Sequence, residues 1–213
     1  MQLRTWSGAV LFVCLLLTAS SASAALVSLT NPSFENPSPP FVSSCGTGCT
    51  FNVGSFTGWT VSGSGGQFQP SSALFNSLPN GSVLAYSNGG TITQNVGTIS
   101  SAGIVYTLMV DIGLRNDLSG NVGSIQLLIG GTPINGTGAA PTSGNFSTFT
   151  ASYTTSAANV GQNIAIQLSS SGAQGDFDNV RLDATAAPEP ATVSLMLFGL
   201  AGFGVAARLR RRA

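Results

Sequence analysis

The sequence predicts an all-β fold, an antiparallel β-sandwich, and three observations carry that prediction. Through the long middle of the chain apolar residues recur at every second position, the alternating runs are short, and turn chemistry closes each one. Tyr106, Leu108, Val110 and Ile112 leave one face of a run while Thr107 and Asp111 leave the other, as alternating side chains on a strand must. The same pattern recurs in Ile125, Leu127 and Ile129, in Phe149, Ala151 and Tyr153, and in Ile164, Ile166 and Leu168, with shorter candidates from Val83 to Ser87 and from Thr91 to Val96. Between them stand Pro79-Asn80-Gly81, Asn88-Gly89-Gly90, Gly130-Gly131-Thr132-Pro133 and Asn135-Gly136, residues that supply fixed or left-handed backbone at turns. About eight short strands with polar turns are the pattern of a sandwich. No helical stripe interrupts them.

Composition then removes several functions. The chain has 213 residues, room for one ordinary domain between two end segments. Its net charge of zero is uneven: of seven Lys and Arg only Arg115 and Arg181 lie in the middle, against Glu35, Asp111, Asp117, Asp176, Asp178 and Asp183. A mildly acidic domain offers no basic surface to a phosphate backbone, so nucleic acid is excluded as a partner. The chain has no His and no Lys, so neither a Ser-His-Asp nor a Cys-His arrangement can be built. The closest acid pair left for hydrolysis is Asp176 with Asp178, two apart and therefore on one face of a strand, whereas a glycosidase sets its two acids on either side of the bond it cuts.

The ends read as addresses. Arg4, the apolar run Ala9 to Leu17 and the small-x-small Ala22-Ser23-Ala24 make residues 1–24 a secretory signal peptide. The domain is expected over 25–187, and a tail over 188–213 consists of Pro188-Glu189-Pro190, an uncharged run over 191–207 and an Arg-rich end over 208–212. That run is at the short end of what crosses a bilayer as a single helix, and the arginines behind it hold the end on the cytoplasmic side. The order Pro-Glu-Pro, Ala-Thr, Gly-interrupted apolar run and arginines resembles the PEP-CTERM sorting segment that exosortases recognise. The resemblance implies an exosortase-like partner, anchoring at the inner membrane before processing, and delivery to the envelope or extracellular matrix.

Two cysteines remain in the domain, in Cys45-Gly-Thr-Gly-Cys49. In an exported chain a disulfide that staples this loop is the favoured reading. A metal site there lacks ligands, and a redox pair is more usually spaced Cys-x-x-Cys.

The strand Asp176-Phe-Asp-Asn-Val-Arg-Leu182 carries an oddity, because counting by twos sets Asp178 on the side of Val180 and Leu182. A carboxylate there needs a cation or a hydrogen-bond donor. Together with Asn31-Pro-Ser-Phe-Glu35, Gly58-Trp59, Gln94-Asn-Val96, Tyr106-Thr-Leu108 and Phe177-Asp-Asn-Val180, this strand resembles the galactose-binding-like jelly rolls of bacterial carbohydrate-binding modules. In calcium-containing members the Glu of the first motif and the Asp of the last hold a structural ion, and the resemblance nominates Glu35 and Asp178 for calcium. Sugar recognition would draw on exposed rings and planar polar groups, with Trp59, Tyr86 and Arg115 as the candidates, although Trp59 after Gly58 at a strand's head is more often a core or rim-packing residue. The expected role is a non-enzymatic surface or exopolysaccharide-matrix protein. A carbohydrate-binding module is the alternative, and a glycoside hydrolase comes last.

Overall fold

A computed structural model describes residues 25–120 and 123–187. The signal peptide, the motif Pro188-Glu189-Pro190 and the expected span over 191–207 lie outside the described residues. Among those described, no helix is long and apolar enough to cross a membrane.

Thirteen strands follow in order among the described residues: β1 (Ala25–Leu26), β2 (Ser43–Gly46), β3 (Cys49–Phe51), β4 (Thr60–Ser62), β5 (Gly65–Gln69), β6 (Leu84–Asn88), β7 (Thr91–Thr98), β8 (Ile104–Gly113), β9 (Ser124–Ile129), β10 (Thr132–Asn135), β11 (Phe146–Thr154), β12 (Asn163–Ser169) and β13 (Gln174–Ala186). They form two antiparallel sheets, the sandwich expected. The larger runs β11-β8-β13-β6-β5-β3-β2, with β1 added on β13, and the smaller runs β10-β9-β12-β7-β4. The alternation read in the sequence is what closes them face to face: Leu108, Val110 and Ile112 from β8 meet Ile125 and Leu127 from β9, Ile166 and Leu168 from β12 and Ile92 from β7, each no more than 1% exposed. Burying such side chains is worth about 1.5–3 kcal/mol each.

The sequence motifs that were scattered along the chain meet at one place beside this core. Trp59 is 2% exposed, its ring centroid 5.4 Å from that of Phe34, and its indole N–H donates to the Asn31 carbonyl at 3.1 Å. Gln94 donates to the carbonyls of Thr30 and Gly58 and accepts the Thr30 N–H. Gly58 sits at φ +80° against the Thr30 side chain, where a Cβ would collide, so the glycine is dictated by close approach as well as by backbone sign.

A bulge corrects the register read for β13. Pairing with β8 shifts between Asp178 and Arg181, and Asn179 takes φ +52°, so one extra residue is inserted. Phe177 therefore faces the inter-sheet core before the bulge, and Val180 and Leu182 face it after. Asp178 does not share their side. It points with Asp176 to the outer face of the large sheet.

That outer face carries a second apolar cluster of Cys49, Phe68, Phe75, Leu84 and Tyr86, covered in part by Leu74, Leu78 and Phe146. The loop over 70–82 thus lies on the sheet and gives its outer face relief.

Candidate functional site

Two places on this outer face gather polar chemistry. The first is a loop clasp around Glu35 and Asp178. Glu35 Oε1 accepts the backbone N–H groups of Ser82 at 2.8 Å and Val83 at 2.7 Å, and Oε2 accepts the Ser82 hydroxyl at 3.3 Å. Asp178 Oδ2 accepts the Asn80 N–H at 2.8 Å and Oδ1 accepts its neighbour's, Asn179, at 2.6 Å. Both carboxylates therefore grip one turn, Asn80-Gly81-Ser82. Burial pushes the Asp178 carboxyl up, and the charges of Glu35 and Asp111 add to that, while the two N–H donors pull it down; the outcome is about 7. Asp111, the cross-strand partner of Asp178, is itself satisfied by the Thr148 hydroxyl at 2.6 Å, the Asn179 amide at 2.8 Å and Arg181 at 3.2 Å.

The resemblance paired Glu35 with Asp178, and the fold brings both to this turn. Their oxygens are hard donors of the kind calcium takes, and Glu35 Oε2 and both Asp178 oxygens accept one hydrogen bond each, whereas Glu35 Oε1 accepts two. Among the described residues no cluster of three or more His, Cys, Asp or Glu forms a metal cage, so a cation here would complete its shell with backbone carbonyls and water. Gly81 stands at φ +61°, and a Cβ on it would overlap the Glu35 carboxyl group. Gly81→Ala is therefore expected to cost about 1–3 kcal/mol, read as a thermal midpoint several degrees lower.

The second place is a cavity of about 150 Å³ nearer the β2–β3 end. One wall is the disulfide Cys45–Cys49, whose Cα atoms lie 5.0 Å apart. The expected staple is present and also shapes a surface. The rings of Phe51, Phe68 and Tyr86 make the apolar wall, with Tyr86 edge-on to the other two at 6.4 and 5.7 Å. The Tyr86 hydroxyl donates to the Asn52 carbonyl at 3.0 Å, and burial pushes its phenol up. Asn88, Arg115 and Gln174 bring polar groups to the same cavity. Arg115 is held by a fork from Nε and Nη2 onto the Asp117 carboxylate at 2.9 and 2.7 Å, which lowers the Asp117 carboxyl. Its Nη1 donates to Gln174 Oε1 at 2.6 Å, and Gln174 Nε2 donates to Asp176 Oδ1 at 2.7 Å.

Asp176 thus sits one side chain behind the cavity wall, fully buried, with Oδ2 lacking a hydrogen-bond partner. Burial pushes its carboxyl up to about 7.

Of the three residues expected to meet a sugar, Tyr86 and Arg115 come together here and Trp59 does not. Trp59 belongs to the inter-sheet core, closed off by Phe34 and its own bond to Asn31. Phe51 escaped the sequence pattern because it lies in a short strand with no alternation to reveal it. Gln174 escaped it as well, since its proximity to Arg115 depends on β13 pairing with β8 across 59 residues.

Comparison with known proteins adds two matches to family models. One described as HpiC1-like, HpiC1 cyclase, spans residues 25–183, and the PEP-CTERM protein-sorting motif spans 186–212. That motif indicates an exported protein with a membrane-anchored C-terminal tail. No curated protein matches the sequence. Among solved structures, the CBM22-1-CBM22-2 tandem domain from Paenibacillus barcinonensis is 14% identical with a TM-score of 0.48, covering 80% of this chain and 49% of that one. The CBM22-1 xylan-binding domain from the same organism is 12% identical with a TM-score of 0.45, covering 79% and 99%. The CBM22-1-GH10 modules of a Clostridium thermocellum xylanase, complexed with xylohexaose, are 18% identical with a TM-score of 0.42, and the match covers 62% of this chain and only 27% of that one.

Proposed function

The chain belongs to the HpiC1-like family and ends in a PEP-CTERM sorting motif, and from that premise we propose an exported, non-enzymatic protein of the cell surface or exopolysaccharide matrix whose sandwich binds a carbohydrate unit. The observation that carries the binding role is the cavity that the Phe51 and Tyr86 rings line together with Arg115, Gln174 and Asn88. Rings offer an apolar face to the C–H face of a sugar, and planar amide and guanidinium groups suit its hydroxyls. About 150 Å³ has room for roughly one pyranose ring. Because Asp117 already neutralises Arg115, the guanidinium serves as an oriented donor more than as a net charge. A structural calcium at Glu35 and Asp178 belongs to the same proposal: it would fasten the first motif to the last strand and so hold the loop that shapes the sheet's outer face. An exosortase-like enzyme would process the tail, releasing the domain to the envelope or matrix.

Calorimetric titration of the full chain, in a sugar-free detergent, with mono- and oligosaccharides tests the cavity. Phe51→Ala and Arg115→Ala are each expected to weaken the tightest ligand about tenfold or more, a loss of about 1.4 kcal/mol. Unchanged affinity in both variants, or no titratable binding by the unaltered chain, would set the cavity aside.

One observation favours a second reading. The family model is named for a cyclase, and Asp176 places an unpaired, water-excluded carboxyl oxygen directly behind the Gln174 wall, where a general acid of a cyclisation could stand. The readings part at Asp176→Asn: a binding protein keeps its sugar affinity, and an enzyme loses turnover of its substrate.

A further inference from the structure

Every charged side chain of the described domain lies in the large sheet or the loops beside it. Glu35, Asp111, Arg115, Asp117, Asp176, Asp178, Arg181 and Asp183 are all there, and β4, β7, β9, β10 and β12 contain no Asp, Glu, Lys or Arg. The outer face of the small sheet is therefore free of charge across all five strands. Its composition is ordered as well as neutral. Register places Asn135, Gln126, Gln167, Thr93 and Thr60 side by side in one row that crosses the whole sheet. A second row holds Ser124, Ser169, Thr91 and Ser62. A third, more apolar, holds Pro133, Leu128, Ala165 and Asn95.

The central row is tied together from within. Gln167 Nε2 donates to Gln126 Oε1 at 2.8 Å, and Gln126 Nε2 donates to Asn135 Oδ1 at 2.8 Å. In the neighbouring row the Ser124 and Ser169 hydroxyls are 2.9 Å apart. Amides held this way have already lost their rotamer freedom, so a partner that binds them incurs little ordering cost. With strands about 4.8 Å apart, the row is roughly 19 Å long.

We propose that this face is a second binding surface, and that its partner is a neutral, hydroxyl-rich polysaccharide lying across the strands. The charge pattern selects that chemistry. A polyanion, an anionic membrane or a nucleic acid would find no cation here, and a polybasic partner no carboxylate. The hydroxyl and amide rows match sugar hydroxyls, and Leu128 with Ala165 offers a narrow apolar strip to C–H faces. The surface lies on the opposite side of the sandwich from the Tyr86 cavity, so one molecule can hold two glycans and link them within a matrix. Contact on both faces multiplies retention beyond either affinity alone.

Sedimentation of the full chain with insoluble cellulose, β-1,3-glucan and mannan tests the surface, with polygalacturonate as acidic comparator and a sugar-free detergent throughout. The bound fraction is expected to be the same at low and high salt for at least one neutral polymer. Gln167→Lys and Thr93→Lys, whose side chains are half-buried at the surface, should reduce it at least tenfold with an unaltered melting midpoint, while both variants keep the parent's affinity for small sugars in the calorimetric titration of the cavity. If a lysine variant melts early, Gln167→Glu supplies the same test with the opposite charge. Four outcomes overturn the proposal: no neutral polymer is bound; the folded charge variants bind like the parent; polygalacturonate is preferred and salt displaces it; or the parent sediments as a dimer that the charge variants dissociate, which would make the face a contact between copies of this chain.

Discussion

Chelation at pH 8 is expected to lower the thermal midpoint of this protein by on the order of ten degrees, and a Glu35→Ala, Asp178→Ala chain is expected to melt at one temperature with or without calcium. The expectation follows from where the two carboxylates stand. Glu35 and Asp178 lie far apart in sequence and converge on one turn, Asn80-Gly81-Ser82, through the backbone N–H groups of Asn80, Ser82 and Val83 and the Ser82 hydroxyl. The exposed charge of Glu35 repels the buried carboxylate of Asp178, and that repulsion is part of what raises Asp178. A divalent cation between them would convert the repulsion into attraction. Ligand present at about a thousand times its dissociation constant stabilises the folded state by about 4 kcal/mol, and in a domain of this size each kcal/mol moves the midpoint by about 2–4 degrees. Differential scanning calorimetry with added calcium, then with chelator, measures the difference. A parent protein whose midpoint ignores both additions would leave the pair as a hydrogen-bonded clasp without a metal.

How far the sequence revealed this arrangement depended on whether the information was local. Period-two alternation is local, and it located β7, β8, β9, β11 and β12 because each buries one face against the opposite sheet. The short strands β2, β3 and β5 have no such pattern. Gly65, Gly66 and Gln67 of β5 are buried by close backbone approach and by the bonds of Gln67 to Asn52 and Phe34 rather than by apolar side chains. The Asp178 register failed for a definite reason: a bulge at Asn179 needs only a left-handed residue, and Asn in that role looks like any other polar residue in a strand. Trp59 is a different case. A ring after a glycine at a strand's head reads as either core packing or a sugar contact, and only Phe34 and the Asn31 carbonyl, brought to it by a distant, earlier segment of the chain, place it in the core. The Cys45–Cys49 ring was legible because both partners lie within one turn.

The pH dependence of stability separates the buried acids from the metal, and its sign follows from the direction in which burial moves them. An unfolded Asp titrates near 3.9, whereas Asp176 and Asp178 are both raised to about 7 in the fold, each by burial first. Between these values the folded chain holds more protons than the unfolded one, so stability must fall as pH rises from about 4 to about 7 and level off above. In calcium-free buffer the midpoint is therefore expected to climb by on the order of ten degrees as pH is lowered from 8 to 5, since a pKa difference of one between folded and unfolded chain corresponds to about 1.4 kcal/mol. A calcium ion bound at Glu35 and Asp178 would reverse the slope for Asp178 alone, because it would bind the charged carboxylate and compete with its proton. With calcium present the rise on acidification should shrink, and with Asp176→Asn it should shrink further, since the amide has no charge to desolvate. A midpoint that drops steadily from pH 8 to pH 5 without calcium would mean that both carboxyls are charged in the folded protein and stabilised by their donors. In that case the buried oxygen of Asp176 would have to be paired, and the acid behind the Gln174 wall could no longer serve as a proton donor at neutral pH.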